Sequence, residues 1–279
     1  MKQPTDLEAK LALLMSLAAD DRAGPGEGGV RPLPPRLRNA GQSGALRPLN
    51  IRSVRMGTGD TTSLLRILMT NACSFNCHYC PMRRDRNLPR TLLKAEELVR
   101  IFLGAVRRGW CSGLFITTGI PGRPVAVMDE LIKVLELLRE RHRFTGYVHT
   151  KIVPGGEPAQ VARLAQLANR VSVNLEAPCG EHLTRIAPEK RLTTALTSLE
   201  LARGVVTRSK DAERAGRPRD PLHPGATAGM TVQFVVGATP DSDRTLISTV
   251  TDLYAKGGMH HSHFSAFRQI GRASCRERV

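Results

Sequence analysis

The chain has few aromatic residues, few cysteines and no long apolar run. Aromatic residues make up 4% of its 279 residues, which argues against a broad surface for stacking nucleobases. No apolar run approaches the roughly 18 residues that a membrane-spanning helix needs. The first residues also lack the basic start and apolar core of a secretory signal. We therefore expect a cytoplasmic protein with no part in a membrane.

Acidic residues are in the minority among the charges. There are 25 of them against 41 Lys and Arg, a formal net charge of +16. Such an excess is typical of proteins that bind nucleic acid, because contacts with phosphates release counterions. A solvated basic surface would give the same count. At 41% hydrophobic and 24% charged residues, the composition is that of a packed protein rather than a disordered one.

The chain divides into three regions. Residues 1–60 combine a short helix, predicted over 7–19, with a Gly-, Pro- and Arg-rich stretch that has too little apolar surface to fold alone, so we expect a flexible basic N-terminal extension. Residues 61–269 form the predicted core domain. Residues 270–279 resemble one reading frame of a sequencing adapter, so we expect a non-native tail joined to a truncated gene.

The core region alternates apolar strands with amphipathic helices, which predicts an α/β protein. Crossover helices imply parallel strands with right-handed connections, either in an open doubly wound sheet or in a complete or partial (β/α) barrel. Functional residues collect at the carboxyl ends of the strands in both. Thr239-Pro240-Asp241 predicts the start of the last helix. The predicted strands are 64–70, 113–118, 146–151, 171–176, 230–236 and 263–267.

Half of the six cysteines lie within eight residues, directly after the first predicted strand, as Cys73, Cys77 and Cys80. An iron–sulfur cubane held by three cysteines leaves one iron open, whereas a structural zinc site normally has four protein ligands. The spacing therefore favours a [4Fe-4S] cluster. The alternative is a zinc-stabilised nucleic-acid-binding module without catalysis, with a fourth ligand among His78, Cys111 and Cys179.

The pattern Cys-x3-Cys-x2-Cys, with the aromatic Tyr79 before its third cysteine, resembles that of the radical S-adenosylmethionine (SAM) superfamily. The resemblance implies a partial (β/α)6 barrel like that of a TIM barrel. It also implies a [4Fe-4S] cluster, bound SAM, and an electron donor as partner. Electron transfer into SAM would yield a 5′-deoxyadenosyl radical that removes a hydrogen atom from the substrate.

Further segments resemble one subgroup, the DNA modification/repair radical SAM family. The likeness covers about residues 60–269 and implies a DNA substrate and a uracil-DNA-glycosylase-like partner. An RNA-modifying enzyme is the alternative. Family members continue into a helix-hairpin-helix-like region that this sequence lacks. The segments are 65–73, 113–119, 146–151, 173–176, 187–190 and 236–243.

The resemblance also implies where SAM binds. Superfamily members often carry Gly-Gly-Glu for the methionine amine where this chain has Thr117, Thr118 and Gly119, so the acidic residue is missing here. We expect the other contacts with SAM at Tyr79, at Lys151 for the carboxylate, at Asn174 and Glu176 for the ribose, and at Val236 and Gly237 for the adenine.

Some of these strand-end residues have other interpretations. Glu176 is an alternative partner for the methionine amine, and ordinary salt bridges or turn hydrogen bonds would equally explain Lys151, Asn174 and Glu176. Arginines near the predicted barrel mouth are candidates for a phosphate-bearing substrate. They are Arg83, Arg84, Arg86 and Arg268.

Overall fold

A computed structural model describes residues 7–18, 51–55 and 61–267 of the chain. Its strands are β1 (Ile51–Arg55), β2 (Thr61–Leu68), β3 (Gly113–Thr117), β4 (Tyr147–Lys151), β5 (Arg170–Glu176), β6 (Met230–Val236) and β7 (Met259–Ala266). Its helices are α1 (Leu7–Ala18), α2 (Ala95–Arg107), α3 (Pro124–Glu136), α4 (Pro158–Leu167), α5 (Gly180–Ile186), α6 (Leu192–Arg214) and α7 (Asp243–Gly257), and a π-helical turn, Leu137–Arg141, extends α3. Within these ranges, no helix has both the length and the apolar character to cross a membrane.

The strands form one seven-stranded sheet in the order β1 to β7. Strands β2 to β7 are all parallel to one another, and β1 is antiparallel to β2. A doubly wound sheet would reverse its strand order at a switch point, and this sheet does not. The architecture is therefore the predicted partial (β/α)6 barrel, with one additional strand.

The two faces of the sheet differ because neighbouring strand residues point to opposite sides. On β2, Leu65 and Ile67 are fully buried in the main apolar core. Leu98 and Phe102 of helix α2 are fully buried in the same core. Arg66 lies between the two apolar strand residues and faces the other side. The helices thus cover the outer face of the sheet, and the inner face carries polar residues such as Arg66 among apolar ones such as Leu64 and Leu68.

The N-terminal region contributes more structure than the sequence predicts. Helix α1 confirms the predicted helix, and its Leu14 is fully buried in the main core. The prediction of a flexible stretch after the first helix, up to residue 60, is wrong at residues 51–55. These residues form strand β1, which pairs with β2 from Ile51↔Leu65 to Arg55↔Thr61. Residues 19–50 and the proposed tail, 270–279, lie outside the described residues.

The last helix begins later than predicted. Ser242 is the N-cap of α7, and its Oγ accepts a hydrogen bond from the Thr245 amide at 3.2 Å. Thr239 instead donates its hydroxyl to Asp241 Oδ2 at 2.7 Å, which stabilises the preceding turn. The apolar spacing of this helix, at Leu246, Ile247, Val250 and Leu253, predicts that Ile247 is on its buried face, and this prediction is wrong, because Ile247 is 63% exposed.

Candidate functional site

Cys73, Cys77 and Cys80 lie on the loop that follows β2, at the carboxyl edge of the parallel strands. All are free thiols; Cys77 is buried and the other two are partly buried. The pKa of Cys80 is raised to about 12, chiefly by burial and in smaller part by the nearby charges of Cys77 and Cys73. The three thiols are therefore neighbours, and a bound metal would be needed to hold all of them as thiolates.

Backbone hydrogen bonds attach this cysteine loop to two other parts of the chain. The Ser74 amide donates to the Ile120 carbonyl at 2.8 Å, just past β3. The His78 amide donates to the Ile186 carbonyl at 2.8 Å, at the end of α5. The Asn76 amide donates to Glu189 Oε2 at 2.9 Å. The loop is thus fixed on both sides without using its thiols.

Arg90 closes the segment that follows the cysteines. Its guanidinium donates to four backbone carbonyls, which draws the two ends of the loop together. The carbonyls are those of Asn71 (2.5 Å), Met82 (2.6 Å), Arg83 (2.7 Å) and Arg86 (2.9 Å). Sequence reasoning missed Arg90, because an isolated arginine in a loop carries no pattern.

Lys190 joins the cysteine loop to the end of β5. Its Nζ donates to Glu176 Oε1 at 2.7 Å and to Tyr79 Oη at 2.9 Å, and it lies 5.6 Å from the centre of the Tyr79 ring. Burial opposes the ionisation of Glu176, but Lys190, together with Lys151 and Tyr79, lowers the pKa of that carboxyl below its ordinary value. The positive charge of Lys190 also lowers the pKa of the Cys77 and Cys80 thiols, against the larger effect of their burial.

Glu176 has an unusual backbone and an unused acceptor. Its φ is +69°, a left-handed conformation that residues other than glycine rarely adopt, and it lies where the register between β5 and β6 shifts. The side chain is 1% exposed, and its Oε2 has no hydrogen-bond partner among the described residues. Strained residues of this kind are concentrated at binding and active sites.

The predicted residues Lys151 and Asn174 meet at the carboxyl ends of β4 and β5. Lys151 Nζ donates to Asn174 Oδ1 at 2.7 Å and to Gln233 Oε1 at 3.3 Å. Gln233 lies on the neighbouring strand β6 and was not predicted, because its side chain reaches this site only through the sheet register. The structure thus brings polar groups from three adjacent strands together.

The predicted residues after β3 shape the path of the cysteine loop. Thr117 is buried, and its carbonyl accepts from the Met69 amide at 2.8 Å. The Gly119 amide donates to the Thr70 carbonyl at 2.8 Å, and Thr118 Oγ1 donates to the carbonyl of Gly119 at 2.7 Å. A Cβ at position 119 would lie 2.3 Å from the Ala72 carbonyl oxygen, so only glycine allows this close approach.

Val236 and Gly237 end β6, as predicted. The Val236 carbonyl accepts a hydrogen bond from the Phe267 amide at 2.8 Å, so this acceptor already has a partner. Gly237 is exposed with φ +82°. A Cβ at Gly237 would meet no atom within 4 Å, so the space beside this backbone is open.

The predicted substrate arginines brace the cysteine loop in this structure. Arg83 donates to the His78 carbonyl at 3.1 Å, and Arg86 donates to the Pro81 carbonyl at 2.9 Å. Arg84 is more exposed and pairs with Asp85 at 3.0 Å. Arg268 lies outside the described residues. Contact between these arginines and a substrate remains a prediction.

The donor set, three thiols on one loop, is of the type that holds an iron–sulfur cluster. In a cubane each cysteine binds a different iron, so the three sulfurs stand farther apart than the ligands of one ion. Among the described residues, no group of three or more His, Cys, Asp or Glu is arranged to hold a single metal ion. Cys111 is buried elsewhere in the main core, and Cys179 is the N-cap of α5.

A family model for the radical SAM superfamily matches residues 67–211. This range includes the cysteine loop, Lys151, Glu176 and Lys190. The chain belongs to the radical SAM superfamily. It is therefore an enzyme whose cofactors are a [4Fe-4S] cluster and SAM, and the interpretation as a zinc-binding module without catalysis is wrong.

Curated relatives cover part of this radical SAM chain. It is 30% identical over 154 residues to GTP 3′,8-cyclase of Paracoccus denitrificans (strain Pd 1222), covering 52% of this chain and 42% of the relative. It is 29% identical over 147 residues to GTP 3′,8-cyclase of Mycolicibacterium smegmatis (strain ATCC 700084 / mc(2)155), covering 52% and 40%. The chain thus spans about two fifths of the length of these relatives.

Solved structures share the fold of this radical SAM chain at low sequence identity. HydG, a maturase of the [FeFe]-hydrogenase, superposes with a TM-score of 0.54 at 16% identity, covering 77% of this chain and 45% of that one. Methylornithine synthase (PylB) gives 0.54 at 9% identity, covering 74% and 53%. Neither these two proteins nor the GTP 3′,8-cyclases are named for an action on DNA, so modification or repair of DNA remains a prediction.

Proposed function

We propose that this radical SAM enzyme holds its [4Fe-4S] cluster through Cys73, Cys77 and Cys80, and that it modifies or repairs DNA. The observation that carries the assignment of the cysteines is their position as neighbouring free thiols on a loop braced at the carboxyl edge of the parallel strands. With both cofactors bound, cleavage of SAM supplies a 5′-deoxyadenosyl radical that takes a hydrogen atom from the substrate.

Residues of this chain orient SAM at the strand ends. Glu176 is the strongest candidate, because its buried Oε2 lacks a partner among the described residues and is an acceptor for a ribose hydroxyl or the methionine amine. Lys151 is our candidate partner for the methionine carboxylate, and its hydrogen-bond partner Asn174 lies beside it. Gly237 leaves room for the adenine, and Gly119 and Tyr79 shape the loop that holds the thiols.

A DNA substrate is supported by two features of the sequence. The net charge of +16 favours a polyanionic partner, and segments in the core domain resemble the DNA modification/repair subgroup. The uracil-DNA-glycosylase-like partner is part of the same proposal. The similarity to GTP 3′,8-cyclase favours a second candidate substrate, a free guanine nucleotide.

The rate of 5′-deoxyadenosine formation distinguishes these substrates. The protein is reconstituted anaerobically with iron and sulfide, reduced with dithionite, and supplied with SAM together with duplex DNA, single-stranded DNA, RNA or GTP. We expect DNA to stimulate the rate more than equal nucleotide concentrations of RNA or GTP. Stimulation by GTP or RNA alone would overturn the DNA assignment. Failure of a folded, iron-loaded protein to form any 5′-deoxyadenosine would overturn the proposed chemistry.

A further inference from the structure

A buried ion pair lies beside the cysteine loop. Lys190 Nζ donates to Glu176 Oε1 at 2.7 Å, and both side chains are largely removed from water. The Lys190 amide donates to the Ala187 carbonyl at 2.9 Å, and Ala187 is buried in a small apolar cluster that also contains Cys77. The backbone therefore holds Lys190 next to the segment that carries the thiols.

Tyr79 connects this ion pair to the cysteines. It stands between Cys77 and Cys80 in the chain, and its Oη accepts a hydrogen bond from Lys190 Nζ at 2.9 Å. Tyr79 and Cys80 pack against the same apolar cluster as Cys77. Burial raises the pKa of the Cys77 thiol, and a hydrogen bond with the Tyr79 hydroxyl acts against this rise. One side chain thus separates the ammonium from a proposed cluster ligand.

The two charges of the pair do not cancel at the thiols. Burial has the largest effect on the pKa of Cys77 and raises it, and Lys190 lowers this pKa by more than Glu176 raises it. Burial also raises the pKa of Cys80 to about 12, and Lys190 is the cation that opposes this rise most strongly. The ammonium therefore acts on the thiols more strongly than the carboxylate does.

A cation in this place favours the addition of an electron to a cluster held by the thiols. Reduction makes the cluster one charge more negative, and a buried charge acts on it more strongly than a solvated one, because the medium screens it less. Nearby charge and hydrogen bonds to the sulfurs are among the factors that set the potentials of iron–sulfur clusters. Burial opposes the charge on Lys190, but Glu176 raises the pKa of this lysine above its ordinary value, so it remains an ammonium.

We propose that the buried ammonium of Lys190 raises the reduction potential of the [4Fe-4S] cluster, so that a weaker electron donor can supply the electron that cleaves SAM. This inference rests on the proposed function for the assignment of Cys73, Cys77 and Cys80 as cluster ligands. Lys190 acts through the cluster, as a positioning residue that contacts neither the substrate nor the reacting atoms. Glu176 opposes its effect, so substitutions of the two partners shift the potential in opposite directions.

A redox titration of the reconstituted protein without SAM, followed by the electron paramagnetic resonance signal of the reduced cluster, measures this potential. At the wild-type midpoint, Lys190→Met should lower the ratio of reduced to oxidised cluster at least tenfold, a shift of about 59 mV for one electron. Lys190→Arg keeps the charge and should stay close to the wild-type ratio. The control is Lys133→Met, which removes a lysine from an exposed ion pair and should leave the ratio nearly unchanged.

Two further variants separate the electrostatic effect from damage to the packing. Glu176→Gln removes the negative partner and should raise the ratio, whereas damage to the site would not give opposite signs for Lys190→Met and Glu176→Gln. The double variant Lys190→Met/Glu176→Gln leaves no unpaired buried charge and should still have a lower ratio than the wild type. A wild-type ratio in any of these three variants, or shifts of the same sign in both single variants, would overturn the proposal.

The inference and the proposed function fail in different ways. If the wild type holds no cluster, or if Cys77→Ala holds it as well as the wild type, the assignment of the cysteines fails and the inference falls with it. If the wild type holds a cluster and forms 5′-deoxyadenosine while Lys190→Met keeps the wild-type ratio, the effect of Lys190 is refuted and the radical chemistry remains.

Discussion

At the scale of single residues, Lys190 sets the electrostatics beside the cysteine loop. Its side chain is 15% exposed and its partner Glu176 is 1% exposed, so the pair is largely removed from water. Removal of one partner of such a pair leaves an uncompensated charge in a medium that solvates it poorly. Lys190 lies in segment 187–190, which resembles the DNA modification/repair subgroup, but no periodicity in a loop shows where its side chain points.

We predict that Lys190→Met lowers the free energy of unfolding by about 3–5 kcal/mol, because Glu176 stays buried without its partner. Adding Glu176→Gln to Lys190→Met should recover most of this loss. Lys133→Met is the control, since the Lys133–Glu96 pair at 2.8 Å is exposed, and it should leave stability nearly unchanged. Urea unfolding of the cluster-free protein measures all four. A Lys190→Met variant as stable as the wild type would contradict this account.

His149 gives a second prediction at this scale. Its pKa in the folded state lies below the ordinary value, so the unfolded chain binds the proton more readily. Stability is then lost as the pH falls below about 6.5, by at most about 1.4 kcal/mol per pH unit for one group. His149→Gln should flatten this dependence between pH 7 and pH 5. Urea titrations at several pH values test it, and parallel pH profiles in the two proteins would refute it.

At the scale of elements, the close approach of the β3 end to the cysteine loop depends on Gly119. Its amide donates to the Thr70 carbonyl, and its missing side chain leaves room for the Ala72 carbonyl. The strand and the loop are therefore held at a separation that only glycine permits. The sequence Thr-Thr-Gly after an apolar strand predicts a turn. It does not predict that the backbone of the cysteine loop packs against the glycine of that turn.

We predict that Gly119→Ala displaces the cysteine loop, because its Cβ would lie 2.3 Å from a backbone oxygen that cannot move without the loop. Iron bound after anaerobic reconstitution should fall well below the wild-type amount. Gly104→Ala in α2 is the control, because its Cβ would meet only the flexible end of Arg108 at 3.3 Å, and alanine favours a helix. Equal iron content in both variants would show that the loop tolerates the methyl group.

At the scale of the whole molecule, the sequence predicts all six parallel strands, most of them as short apolar runs between amphipathic helices. The last strand, β7, begins at Met259, four residues before the predicted start at 263, because its His-His-Ser-His stretch carries no apolar pattern. The additional strand β1 is missed, since five mixed residues at a sheet edge are recognisable only once β2 offers a partner. The three cysteines are predicted from spacing alone. Lys190, Gln233 and Arg90 are missed, because they reach the site through register and loop packing that no local pattern records.

The net charge of +16 leads to a prediction for the intact chain. The logarithm of its affinity for single-stranded DNA should fall linearly with the logarithm of salt concentration, because binding releases counterions from the phosphates. Fluorescence anisotropy from low to physiological salt measures this slope, and an affinity independent of salt would contradict an electrostatic origin of binding.

The formation of 5′-deoxyadenosine tests the central claim most directly. Wild type, Cys77→Ala and Cys179→Ala are reconstituted anaerobically, reduced with dithionite and incubated with SAM, and their iron content and 5′-deoxyadenosine are measured together. The account predicts that the wild type and Cys179→Ala are brown, bind iron and form 5′-deoxyadenosine. It predicts that Cys77→Ala neither holds the iron nor forms 5′-deoxyadenosine. Full iron content and product formation in Cys77→Ala would contradict it.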